Sequence, residues 1–151
     1  MQTQALEQPA AVVLRRSYPV APEKVWRAWT DPQALKAWFG PGANAVHVAE
    51  VDLREGGHWR LAFTGMTGEV NDVSGVYQEV TPYRRLVFSW AWHTTPERVS
   101  RVTLEIEARD GGSELLFTHD RFFDEAASTG HNRGWNMGFE KLDAWIAAQA
   151  A

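Results

Sequence analysis

The sequence predicts an α+β fold: a curved antiparallel sheet of about seven strands wrapped around one long C-terminal helix, with two short helices after the first strand. Three observations predict it. Residues 11–120 hold several runs of strict apolar/polar alternation, the period of a strand with one face buried. Compact turn sequences, among them Arg54-Glu55-Gly56-Gly57 and Asp110-Gly111-Gly112-Ser113, separate neighbouring runs, as in an antiparallel meander. The last segment changes to helical spacing, with Trp135, Phe139, Leu142 and Ile146 on one face and Trp145 widening it. Such a helix cannot bury its face alone and needs the sheet to cover it.

Taken in order, residues 1–10 are polar and aperiodic and read as a disordered lead. Residues 11–151 read as a single domain, long enough to bury a core without disulfides. The first strand spans Ala11–Tyr18, with Val12, Leu14 and Arg16 sharing a parity. Pro22 opens the first short helix, at a position where its missing N–H costs nothing. Thr30-Asp31-Pro32 ends that helix and starts the second, with Thr30 or Asp31 as the cap, and Gly40-Pro41-Gly42 ends the second.

Further strands are predicted at Ala45–Leu53, His58–Thr64, Val70–Val80, Leu86–His93, Val99–Arg109 and Glu114–Asp120. Gly75 either weakens its strand or marks a bulge. The long helix is predicted from about Asn132, with Ser128-Thr129-Gly130 as either its cap or a break. Gly134 and Gly138 lower its intrinsic propensity by about 1 kcal/mol each relative to Ala.

Composition narrows the chemistry. The absence of cysteine removes disulfides, thiolate metal sites and cysteine nucleophiles, and fits a cytoplasmic protein. A net charge of −4 without a basic block argues against nucleic acid as a partner. No apolar run is long enough to span a membrane, and the first residues lack the pattern of a signal peptide. There is no Gly-x-Ser-x-Gly elbow, no phosphate loop and no closely spaced histidine pair. No metal and no cofactor is expected. His119 shares a parity with Leu115 and Phe117. It is either an inward acid–base group or a strand-end residue bonded to a loop. Arg121 is either a ligand-facing cation or an exposed strand-end residue, and His131 either touches ligand or caps and packs the helix.

Eight tryptophans are many for 151 residues. Trp59, Phe63, Phe88, Trp90, Trp92 and Phe117 recur on one face of successive strands. Trp38 and Phe39 lie where the short helices close one end, while Trp135 and Phe139 face the sheet from the long helix. These residues, with His119, are the candidate lining of a cavity. The sequence alone leaves open whether the rings line a cavity or fill it.

Four patches and a helix signature resemble one known superfamily. They are Ala21-Pro22-Glu23-Lys24-Val25-Trp26-Arg27-Ala28-Trp29-Thr30-Asp31-Pro32; Trp38-Phe39-Gly40-Pro41; Val51-Asp52-Leu53-Arg54-Glu55-Gly56-Gly57; Glu79-Val80-Thr81-Pro82-Tyr83-Arg84-Arg85-Leu86-Val87-Phe88-Ser89-Trp90; and His131…Gly134-Trp135…Leu142. Together they resemble the START-like (SRPBCC) superfamily, with its helix-grip fold, and within it the branch named for activators of the heat-shock-protein-90 ATPase. Gly130 departs from the helix formers that relatives usually carry before the signature helix. The resemblance implies a cavity between sheet and helix for a small apolar or amphipathic molecule. It also implies two alternatives: a protein-interaction role related to chaperone activation, and a cyclase- or hydrolase-type enzyme. A monomer and a homodimer are both compatible with it.

Overall fold

The computed structural model describes residues 9–42 and 44–150. Most of the lead predicted over residues 1–10 therefore lies outside the described residues. The order is β1 (Val12–Tyr18), α1 (Pro22–Thr30), α2 (Pro32–Trp38), β2 (Val46–Val51), β3 (His58–Thr64), β4 (Val70–Thr81), β5 (Arg85–Trp92), β6 (Ser100–Arg109), β7 (Gly112–Asp120) and α3 (Glu125–Gln149). The strands form one seven-stranded antiparallel sheet in the order β1-β7-β6-β5-β4-β3-β2. Only the β1–β7 pairing joins strands far apart in sequence; every other neighbour is a hairpin partner.

The alternation read from sequence sets which face is buried. Val12, Leu86, Phe88, Trp90, Val102, Leu104, Ile106, Leu115 and Phe117 all turn inward and are buried. α3 crosses this concave face. Its Phe139, Leu142 and Ile146 are completely buried, a contribution of about 1.5–3 kcal/mol for each such side chain. On β1, Arg16 and Tyr18 anchor the same half of the helix. Arg16 Nε donates to Asp143 at 3.0 Å, Tyr18 Oη donates to Asp143 at 2.7 Å, and the Arg16 guanidinium stands 5.2 Å from the Phe139 ring centroid.

The short helices close one end. Asp31 is the cap of α2, accepting from Gln33 N at 3.0 Å, while Pro22 and Pro32 occupy first-turn positions where no N–H is needed. Trp38, wholly buried, donates its indole N–H to Ala28 O at 2.8 Å and so staples α2 to α1.

Two local expectations are corrected. α3 begins at Glu125, about two turns before Asn132. Its cap is Asp124, which accepts from Ala127 N at 2.8 Å, so Ser128-Thr129-Gly130 is neither cap nor break. Ser128 is buried in the first turns and donates to Ala10 O at 2.6 Å. Capping and the packing of Ala127, Ser128 and His131 offset the glycine penalty. The β4 bulge lies between Tyr77 and Glu79, not at Gly75. Gly75 pairs regularly with Trp59, whose indole lies across it and donates to Ser89 O on β5 at 3.2 Å.

Among the described residues no helix is long and apolar enough to cross a membrane.

Two alanine substitutions separate these glycine roles. At Gly75 a Cβ runs into the Ser89 carbonyl and comes within 2.7 Å of Trp59 Nε1, so Gly75→Ala is expected to cost about 1–3 kcal/mol. At Gly134 a Cβ meets nothing within 4 Å, so Gly134→Ala is expected to add about 1 kcal/mol through helix propensity. Urea unfolding of the two variants checks both signs.

Candidate ligand pocket

The two halves of α3 meet the sheet differently. The C-terminal half inserts Phe139, Leu142 and Ile146. The N-terminal half presents Ala127, Gly130, Gly134 and Gly138, spaced three and four apart and so on one face. Cβ atoms built at Gly130 and Gly134 meet nothing within 4 Å, and at Gly138 only the Trp38 ring at 3.9 Å. The glycines leave this strip unfilled, and with His131, Trp135 and Met137 of the same helix they line a pocket of about 420 Å³ against the sheet.

Its opposite walls are aromatic. Trp38 and Phe39 come from the end of α2, Phe63 from β3, Trp90 and Trp92 from β5, and Trp135 from α3 itself. Gly40 and Pro41 form one edge. The β3–β4 turn supplies Gly65, Met66 and Glu69 at the rim and the start of β4 supplies Asn71, and Met66 is 70% exposed there. Lys141 on α3 holds the Gly40 edge by donating to Gly40 O at 2.9 Å and to Gly42 O, and the burial of its amine lowers its pKa.

The sequence-predicted lining divides into three groups. Trp38, Phe39, Phe63, Trp90, Trp92 and Trp135 stand around this pocket. Trp59 and Phe88 stand instead around a hollow of about 20 Å³ on the far side of Phe39, Trp90 and Trp135. Phe117, His119 and Phe139 line neither; they are wholly buried in the core, Phe117 and Phe139 with ring centroids 5.2 Å apart. The helix glycines and the β3–β4 turn were not foreseen as lining. Glycine carries no hydrophobic signal, though a repeated four-residue glycine spacing on a helix that must face a sheet was a usable cue.

His119 does point inward, but neither expectation for it describes its role. Its Nδ1 lies 2.9 Å from Trp135 Nε1, and its Nε2 lies 2.7 Å from Ser100 Oγ. An indole N–H only donates, so Nδ1 accepts and Nε2 carries the proton toward Ser100. Ser100 Oγ in turn lies 3.4 Å from Trp90 O. The histidine thus ties α3 to β6 and β7 in its neutral form. Burial, and secondarily the neighbouring His131, pushes its pKa down to about 2.

His131 sits in α3 with both ring nitrogens engaged. Nδ1 lies 2.7 Å from Ala127 O, which only accepts, so Nδ1 donates and Nε2 accepts from Trp92 Nε1 at 3.0 Å. Burial lowers its pKa as well. Arg121 lies just beyond β7 with φ of 65° and is exposed, away from the pocket lining.

The pocket's other titratable group, Glu69, is held ionised. Hydrogen bonds from the Thr67 hydroxyl, from its own backbone N–H and from Asn71 lower its pKa to about 2. An ionised rim carboxylate and a histidine engaged at both nitrogens are poorly placed for proton transfer. Among the described residues, no three His, Asp or Glu side chains gather as metal ligands would. The pocket walls are largely aromatic and apolar.

The buried histidine generates a pH dependence with a definite sign. Its folded pKa, about 2, lies below the ordinary histidine value of 6.5, so the unfolded chain binds the extra proton between these values. Stability is therefore full above pH 6.5 and falls as pH drops, by about 1.4 kcal/mol per pH unit for one histidine. His131 adds in the same direction. Denaturant melts between pH 7 and 5 are expected to show this slope, and His119→Gln to show a shallower one.

A family model described as "Activator of Hsp90 ATPase homolog 1-like protein" matches residues 19–147. No curated protein matches the sequence. Solved structures do match. Protein CV1439 from Chromobacterium violaceum is similar at 25% identity and a TM-score of 0.82, over 92% of this chain and 99% of its own. The AHSA1 protein SPO3351 from Silicibacter pomeroyi is similar at 28% identity and a TM-score of 0.80, over 93% and 99%. CalU16 from Micromonospora echinospora is similar at 29% identity and a TM-score of 0.70, over 92% and 77%. With the helix-grip fold in place and the family model spanning most of its length, the chain belongs to the Activator of Hsp90 ATPase homolog 1-like family within the START-like superfamily.

Proposed function

We propose that the protein binds a small apolar or amphipathic molecule in the pocket beside the N-terminal half of α3. One observation carries this reading: a strip of Ala127 and three glycines on α3, flanked by His131, Trp135 and Met137, stands beside an aromatic wall. The resulting volume of about 420 Å³ falls in the range of small-molecule sites. A chain that needed only a core would gain stability from Ala at Gly130 or Gly134, where a Cβ meets open space.

The rim gives the ligand a polarity. Its apolar body lies against Trp90, Trp92 and Trp135, and any polar end reaches the mouth beside Glu69 and Asn71. The ionised Glu69 favours a neutral or cationic end over a carboxylate.

The family description supports a second reading, a protein-interaction role of the chaperone-activator kind. The same experiment separates the two. A thermal-shift screen of sterols, aromatic polyketides and fatty acids, backed by native mass spectrometry, is expected to show stabilisation by a neutral class, with fatty acids weakest. Binding at a hundredfold excess over Kd stabilises by about 2.7 kcal/mol. A protein that carries no bound mass and responds to no class would refute the small-molecule reading and favour a protein partner.

A further inference from the structure

The inner face of the sheet runs past the aromatic wall into the β3–β4 turn. Asn71 pairs with Phe63, and Val73 pairs with Leu61 on one side and Trp92 on the other. Residues directly opposite in an antiparallel pair share a face. Phe63, Leu61 and Val73 are buried on the concave face, so Asn71 belongs to that face as well. Glu69 carries the same parity one step beyond the strand, about 7 Å along the chain. It stands at the mouth, beside the end of the wall formed by Phe63 and Trp92.

The Glu69 carboxylate is held in one place there. It accepts from Thr67 N at 3.0 Å, from the Thr67 hydroxyl and from Asn71 Nδ2 at 3.2 Å. Its Oε2 also lies over Gly65, where a Cβ would run into it. Gly65, Glu69 and Asn71 all line the pocket, so three lining residues meet at this one group. The donors are all neutral. They orient the carboxylate and leave its charge uncancelled. Among the described residues, none of the ion pairs includes Glu69.

No other group in the lining carries charge, since His131 is neutral. Lys141 is not part of the lining, and its amine is engaged by the carbonyls of Gly40 and Gly42. An oriented anion without a counter-ion, at the mouth of an apolar enclosure, is complementary to a cation at the end of an apolar body. Aromatic walls tolerate that charge, because π faces attract an ammonium.

We propose that the ligand is a hydrophobic amine. Its compact aromatic or alicyclic body fills the pocket, and an ammonium on a short arm pairs with Glu69. This rests on the pocket being a ligand site and names what that site selects.

The probes are 1-naphthylmethylamine, 1-naphthylmethanol and 1-naphthoate, which share one ring system and differ in the charge at its end. Each is titrated by calorimetry at pH 7 into the wild-type protein and into Glu69→Gln. The amine is expected to bind the wild type about tenfold more tightly than the alcohol, with the naphthoate weakest. In the variant the amine's advantage over the alcohol is expected to fall about fivefold. Because both probes meet the same variant, any general loosening of the fold cancels in the ratio. A second measurement needs no variant: in about 1 M sodium chloride, where the screening length is about 3 Å, the wild-type advantage shrinks as well. Equal binding of amine and alcohol by the wild type, or an advantage that either change leaves unmoved, overturns the ammonium assignment and leaves the pocket standing. Failure of all three probes to bind the wild-type protein overturns the pocket reading with it.

Discussion

A single long helix must cover a sheet that is too curved to be covered evenly. This constraint organises the molecule. Where α3 carries Phe139, Leu142 and Ile146, sheet and helix close onto one another and Arg16 and Tyr18 lock the contact through Asp143. In the other half His131 and Trp135 reach the aromatic wall, and Ala127, Gly130 and Gly134 beside them leave an open pocket. The fully buried Phe139, Leu142 and Ile146 lie at one end of the helix and the pocket at the other.

The boundary between the halves is held by polar groups in the interior. His119 takes the indole proton of Trp135 and gives its own to Ser100. His131 links the Ala127 carbonyl to the Trp92 indole. Both histidines are neutral because burial disfavours their charge and because each already has one donor and one acceptor to serve. They fix the indole rings of Trp92 and Trp135, which stand in the pocket wall, and so give an aromatic surface a defined shape. Trp29 and Trp90 stand in the same neighbourhood without such partners.

Most of the fold was legible in the sequence, because period-two alternation and turn residues are local signals. β5 and β6 are readable almost residue by residue from Leu86-Phe88-Trp90 and Val102-Leu104-Ile106. The start of α3 was not, since Gly130 reads as a breaker on its own, and only the Asp124 cap and the burial of Ser128 show why the helix runs through it. The site was half legible. Strand parity placed Phe63, Trp90 and Trp92 on the inner face, helical spacing turned Trp135 to the sheet, and the short helices put Trp38 and Phe39 at one end, and all six ring the pocket. The same parity could not tell them from Phe117 and Phe139, because whether an inward ring lines space or fills it depends on the residue opposite. Phe117 is enclosed by the rings of Trp29, Trp135 and Phe139; Trp90 and Trp92 also meet Trp135 and His131, but the glycines of α3 leave open space beside them. The role of His119 needed the β6–β7 register, which sets Val102 opposite it and brings Ser100 within reach.

The central claim is that the glycine face of α3 makes a binding site rather than a packing defect. Titration with the neutral fluorescent apolar probe N-phenyl-1-naphthylamine, on the wild-type protein and on Gly134→Leu, tests it most directly. The leucine side chain enters the space that the pocket occupies, at a position where a Cβ meets nothing within 4 Å, so the variant keeps its fold. The account predicts one saturable site per wild-type chain and its loss in the variant, with the variant at least as resistant to urea. Equal binding by both proteins, or none by the wild type, would contradict it.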